Sequence, residues 1–299
     1  MYKQKYPIIL AHGIARFDVL TNSILKFINR ILCERSIDLD NLHYFKGMRS
    51  FFKHQGYEVY STNVAFAKSI VSRAEELKQE VLKILNKSQI SKVHIIAHSM
   101  GGLDARYMIA NDEELANKIV SLTTIGTPHL GTSFADWGLE HGGDTIIKKI
   151  QSIIDLGGYR DLTTKACEEL NSKLEDKEAN NSVIYQTYAS YQKAESIMYP
   201  FDKSWKIIYD KEGDNDGLVS IISQKWKDKI IGKNGVIKQI KQNAFPVLAD
   251  HFNQVGWWNI FQLRRIKWWQ QNILKEKNDY EQQIKNIYLE IVKRLDDFF

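Results

Sequence analysis

The stretch Val93-His94-Ile95-Ile96-Ala97-His98-Ser99-Met100-Gly101-Gly102 decides the fold class of this 299-residue chain. Residues 93–97 form a short, mainly apolar run that reads as a buried strand, and residues 102–110 read as a helix. A serine stands at the junction, with Ala97 two positions before it and Gly101 two positions after. A sharp strand-to-helix turn holds such a serine in a strained, outward-facing conformation and leaves no room for large flanking side chains. Alanine at 97 departs only mildly from the commoner glycine. The N-terminus of the following helix directs free N–H groups at any negative charge that develops beside the serine. Ser99 is therefore the candidate nucleophile.

The same alternation extends outward. Residues 6–11 (YPIILA), 57–64 (YEVYSTNV) and 120–125 read as strands, and residues 67–85 as a helix with Ile70, Ala74, Leu77, Val81, Leu82 and Leu85 on one face. Strands separated by helices predict an α/β fold, a mainly parallel central sheet with helices on both faces. Residues 183–189 and 205–209 read as further strands, and 235–240 as another. Between them, residues 132–181 break the pattern and read as a helical insertion. Ile146, Ile147, Ile150, Ile153 and Ile154 share one helix face there, between two glycine pairs that suit hinges. A helix that covers an apolar cleft needs one such face. Residues 257–299 read as a helical tail of two helices, the second with Ile284, Ile287, Ile291, Leu295 and Phe298 in line. The reading is one domain over 1–299, with a helical insertion at 132–181, whose isoleucine face suits either a cover over a cleft or a surface helix packed permanently on the core, and the tail at 257–299.

A serine hydroxyl needs a base, and the base an orienting carboxylate. In this topology the chain order is serine, acid, histidine. His141 and His251 follow Ser99; His251, in Leu248-Ala249-Asp250-His251-Phe252-Asn253, is the candidate base. The run Glu212-Gly213-Asp214-Asn215-Asp216-Gly217 offers two acids, Asp214 and Asp216. The oxyanion donors are the backbone N–H of Met100 and, in the loop His12-Gly13-Ile14 after the first strand, that of Ile14. His12 and His98 flank these positions and, with Ile146, Ile150 and Ile153, are candidates for contact with substrate.

Several of these pieces resemble the bacterial true lipases, the α/β-hydrolase family of triacylglycerol lipases with a lid. The matching stretches are 6–13, 97–103, 125–132, Asp161-Leu162-Thr163-Thr164 with Asn171, 215–219, and Asp250-His251-Phe252, in the family's order over residues 6–256. The resemblance selects Asp216 over Asp214 as the acid, agrees with Ile14 as a donor, and puts the lid within 132–181. It implies a serine carboxylic-ester hydrolase acting on acylglycerol-type lipids. Many of these lipases bind a structural calcium through an aspartate two positions after the histidine; Asn253 stands there, without charge, so no metal or other cofactor is expected.

Composition limits the rest. Lys+Arg 41 against Asp+Glu 36 gives +5, and 43% hydrophobic with 26% charged residues excludes a disordered chain. Cys33 and Cys167 cannot build a disulfide scaffold or a four-ligand zinc site; buried thiols are expected rather than a bridge. No basic motif for nucleic acid accompanies the charge. Trp257, Trp258, Trp268 and Trp269, with Arg264, Arg265 and Lys267 among them, suit either a helix packed on the core or peripheral contact with a lipid surface. There is no signal peptide in the sequence as given, which fits a cytoplasmic protein or a secreted one already trimmed. A short-chain carboxylesterase or an acyltransferase would carry the same triad, and a lipid-binding protein without turnover is the remaining rival.

Overall fold

A computed structural model of the chain describes residues 5–14, 44–65, 68–88, 90–141, 158–258 and 273–296. Strands β1 (Ile8–Ala11), β2 (Val59–Ser61), β3 (Val93–His98), β4 (Ile119–Ile125), β5 (Ile184–Ala189) and β8 (Lys241–Ala244) form one sheet in the order β2-β1-β3-β4-β5-β8. All its pairings are parallel. Strands β6 (Lys229–Ile231) and β7 (Ile237–Gln239) make a separate antiparallel hairpin.

The pleat sends alternate side chains to opposite faces. Along β1, Ile8 and Leu10 enter one apolar cluster and Ile9 and Ala11 the other; along β3, Ile96 joins the first and Val93, Ile95 and Ala97 the second. Helices α1 (Met48–His54) and α8 (Ile273–Asp296) cover the first face, through Met48, Phe52, Ile284, Tyr288, Ile291 and Leu295. Helix α2 (Ile70–Ser88) covers the second with Ala74, Leu77, Val81 and Leu85. Both faces are covered, which is why the strands read as apolar runs. Helices α3 (Met100–Asn111), α4 (Ser133–Glu140), α5 (Thr164–Asn180), α6 (Asp202–Glu212) and α7 (Ile221–Lys225) complete the layers.

Residues 205–209 are not a strand: they lie within α6, where Ser204 and Ile208 are buried one turn apart and Tyr209 faces out. A short apolar run is ambiguous by periodicity, and the four-residue spacing prevailed. Of the expected tail, α8 is the one helix among the described residues; its buried Ile284, Ile287, Ile291 and Leu295 match the expected stripe. Trp268, Trp269, Arg264, Arg265 and Lys267 lie outside the described residues, as do Ile146, Ile150, Ile153 and the rest of 142–157. The described parts of the expected insertion are packed on the body: α5 buries Cys167, Asn171, Leu174 and Glu178, and Glu178 pairs with Arg106 of α3. Cys167 is a buried free thiol, and Cys33 lies outside the described residues.

The chain runs from β1 outward to β2 and returns on the other side of β1 as β3, so the strand order reverses between β1 and β3. The crevice beyond the carboxyl ends of the strands at such a reversal is where α/β sheets place their sites. Ala11 is paired with Ala97, and His98 with Ile125. The loops that leave β1, β3 and β4 therefore meet: His12-Gly13-Ile14, Ser99 and Gly126-Thr127.

Candidate active site

Ser99 has φ 56 and ψ −138, a conformation that costs a residue with a side chain about 1–3 kcal/mol. Bonds on both sides hold it. Its N–H donates to the Ile125 carbonyl at 3.0 Å, and its carbonyl accepts from Thr127 Oγ1 at 2.8 Å and from Gly102 N–H at 3.0 Å. The small flanking residues have a visible cause. Ala97 is fully buried, and a Cβ on Gly101 would stand 2.6 Å from the His12 carbonyl oxygen.

His251 Nδ1 lies 2.8 Å from Asp216 Oδ2, with both side chains almost fully buried. The other carboxylate oxygen accepts from the N–H groups of Leu218 and Val219, at 3.0 and 2.8 Å, and the Asp216 carbonyl accepts from the His251 N–H at 2.9 Å. An ionised carboxylate only accepts, so Nδ1 carries the proton and Nε2 presents a lone pair. Asp214, the second acid in that run, is exposed. His251 and Ser99 line one pocket, with Ile14, Pro128, Thr132, Phe134, Tyr159, Leu162, Leu218 and Val219. The wall is apolar apart from Ser99, Thr132, Tyr159 and His251.

The loop expected to supply an oxyanion donor stands against the serine. A Cβ on Gly13 would lie 2.7 Å from Ser99 Cβ and 3.0 Å from its Oγ. Ile14 lines the pocket, and Met100 begins α3 beside it. His12 and His98 are not among the lining residues. His12 Nε2 accepts from the Val64 N–H at 3.1 Å, which leaves its Nδ1–H to donate to the Gly13 carbonyl at 2.8 Å. Burial, reinforced by Arg73, lowers the His12 pKa to about 4. Neutral His12 thus clamps the loop. Burial and then the neighbouring His251 hold His98 well below the usual histidine range. His141, the other histidine considered as a base, is exposed and stacks on Trp137.

Several residues come together that the sequence did not single out. Arg73 of α2 donates to the carbonyls of His12 and Ala65 and pairs with Asp104 of α3 at 2.7 Å, fully buried. Tyr44 Oη lies 2.7 Å from His98 Nδ1. Gln254 joins His98 Nε2, at 3.0 Å, to Asp216 Oδ2, at 2.9 Å. Asn253, in the calcium position of the resemblance, uses its amide internally, accepting from the Asp250 N–H and donating to the Trp257 carbonyl. Among the described residues, no cluster of three or more His, Cys, Asp or Glu side chains could hold a metal ion, and no helix is long and apolar enough to cross a membrane.

Comparison with known proteins agrees with this architecture. Residues 44–226 match the family described as "Putative serine esterase (DUF676)". Triacylglycerol lipase 2 of Saccharomyces cerevisiae is 30% identical over 97% of this chain and 91% of its own length. A triacylglycerol lipase of Pseudarthrobacter phenanthrenivorans is 35% identical over 44% of this chain, and the match spans 36% of that protein. The solved structure of Staphylococcus hyicus lipase superposes with a TM-score of 0.59 at 20% identity, covering 95% of this chain and 97% of the other. Lipase 1 from Pelosinus fermentans gives 0.58 at 22% identity, covering 85% and 94%. The two structures share the α/β-hydrolase fold with this chain.

Proposed function

This chain belongs to the DUF676 serine esterase family, and from that premise we propose that it is a lipase that cleaves acylglycerol-type esters through Ser99, His251 and Asp216. It is an α/β-hydrolase and a serine ester hydrolase. The observation that carries the proposal is His251, hydrogen-bonded to buried Asp216, lining one apolar pocket with a serine in a strained turn. In this reading His251 Nε2 takes the proton from Ser99 Oγ as the oxygen attacks the acyl carbon. Asp216 stabilises the imidazolium that results. The N–H groups of Ile14 and Met100 receive the oxyanion, each worth about 10²–10³ in rate. The imidazolium then protonates the departing alcohol, and water activated by the same base releases the acid.

The apolar wall of Ile14, Phe134, Leu162, Leu218 and Val219 suits an acyl chain. The yeast relative is named a triacylglycerol lipase, and the bacterial true lipases provide the pattern for the site; both support a lipid ester as substrate. A series of acyl esters from C2 to C18, assayed with and without a lipid interface, tests the assignment. The expected result is a rate that rises sharply above the substrate's solubility limit. A flat preference for C2–C4 esters would make the protein a short-chain carboxylesterase. Transfer of a labelled acyl group to added alcohol in preference to water would make it an acyltransferase.

A further inference from the structure

Behind the pocket, a line of buried polar groups connects the carboxylate to the loop that stands over the serine. We propose that Gln254, His98 and Tyr44 form a one-way hydrogen-bond relay that positions Asp216 and the Gly13 loop together, and that all three are positioning residues for ester hydrolysis. The proposal rests on the triad reading above.

Chemistry fixes the direction of the relay. Asp216 Oδ2 is acceptor-only, so the Gln254 group 2.9 Å away is the amide NH₂, and the amide oxygen faces His98 Nε2. His98 Nε2 must then carry its proton, and His98 Nδ1 must accept. The Tyr44 hydroxyl, 2.7 Å from Nδ1, is therefore the donor. The Tyr44 oxygen in turn faces the Gly13 backbone: it accepts a bond from Gly13, and a Cβ on that residue would lie 2.8 Å from it. Every step has one allowed orientation, set by the negative charge at its end. A second observation supports the placement of Gln254. Gly126 has φ +60, and a Cβ there would meet Gln254 Oε1 at 2.2 Å, so the turn after β4 is shaped around this amide. The His98 and His251 rings are centred 4.5 Å apart, and burial followed by the neighbouring His251 holds His98 below the usual histidine range. The titratable and charged groups facing it are Asp216 and His251 at one end, with Asp250 beyond Asp216, and His12, Arg73 and Tyr288 near Tyr44 at the other.

Gln254→Met keeps the volume and removes both amide bonds; Tyr44→Phe removes the hydroxyl, and with it the bond to His98 and the one accepted from Gly13. With a soluble p-nitrophenyl ester, each is expected to lower kcat by roughly 10-fold with KM nearly unchanged, the size of one lost hydrogen bond to a charged group or its chain. A KM that stays at the wild-type value while kcat falls separates a positioning role from a damaged pocket, and an unmoved urea midpoint separates it from loosened packing. The double variant is expected to lose less than the product of the two singles, because one break already disconnects the relay. Ser99→Ala sets the baseline in the same assay. Turnover that survives Ser99→Ala overturns the triad reading and this proposal with it. An inactive Ser99→Ala together with a Gln254→Met that keeps the wild-type kcat, or loses it only alongside a raised KM or a lowered urea midpoint, overturns the relay alone.

Discussion

Replacing Gly13 by alanine places a methyl group where the structure has none to spare. Its carbon would start 2.7 Å from Ser99 Cβ, 2.8 Å from Tyr44 Oη and 3.0 Å from Ser99 Oγ. Carbon contacts settle near about 3.5–4.0 Å, so loop and serine must separate by roughly 1 Å. The loop is held on its far side by bonds from Arg73 to the His12 carbonyl and from Val64 to His12, so its freedom to retreat is small. A misplacement of about 1 Å at reacting groups costs on the order of 10²-fold in rate. If the Ile14 donor is withdrawn as well, the loss approaches 10³, about 4 kcal/mol of transition-state stabilisation. The assay is kcat/KM for a soluble p-nitrophenyl ester beside the midpoint of urea unfolding. The expected result is a fall of about 10²–10³ in kcat/KM with a change of no more than about 2 kcal/mol in stability. A variant that turns over at the wild-type rate would refute the reasoning, because it would mean that the loop does not form the oxyanion site.

Three further outcomes follow from the same geometry. Asp216→Asn can no longer stabilise the imidazolium or fix its tautomer, and steady-state kcat is expected to drop by about 10⁴ with the urea midpoint little moved; a drop under 10-fold would remove Asp216 from the triad. Arg73→Met strands buried Asp104, and equilibrium unfolding is expected to show a loss of about 3–5 kcal/mol; a change under 1 kcal/mol would contradict the ion pair. Folding lowers the His12 pKa from 6.5 to about 4, so the unfolded chain binds its proton first and the stability tied to neutral His12 is lost as pH falls from about 6.5 towards 4. Urea midpoints at pH 7 and pH 4.5 should differ more in the wild type than in His12→Gln; equal differences would contradict the clamp.

Much of the centre of the fold was legible because its signals are local. Residues 93–102 compress a strand, a turn and a helix start into one run whose small residues answer to contacts a few ångströms away, at His12 and Thr127. The order of Ser99, Asp216 and His251 along the chain came from topology, and the pairing of Asp216 with His251 from resemblance. Two kinds of feature were out of reach. Residues 205–209 carry apolar side chains in a run too short for its period to separate strand from helix. Tyr44 and Gln254 carry no motif at all. They matter through partners 54 and 156 positions away, at His98, and those partners are adjacent only because β1, β3 and β4 end side by side.

Covalent labelling reports directly whether Ser99 is the nucleophile. The protein is treated with a fluorophosphonate, digested, and the modified peptide identified by mass spectrometry. The expected result is a single adduct on Ser99, formed with loss of esterase activity and absent from Ser99→Ala. An adduct on another residue, or ester hydrolysis that persists in Ser99→Ala, would contradict it.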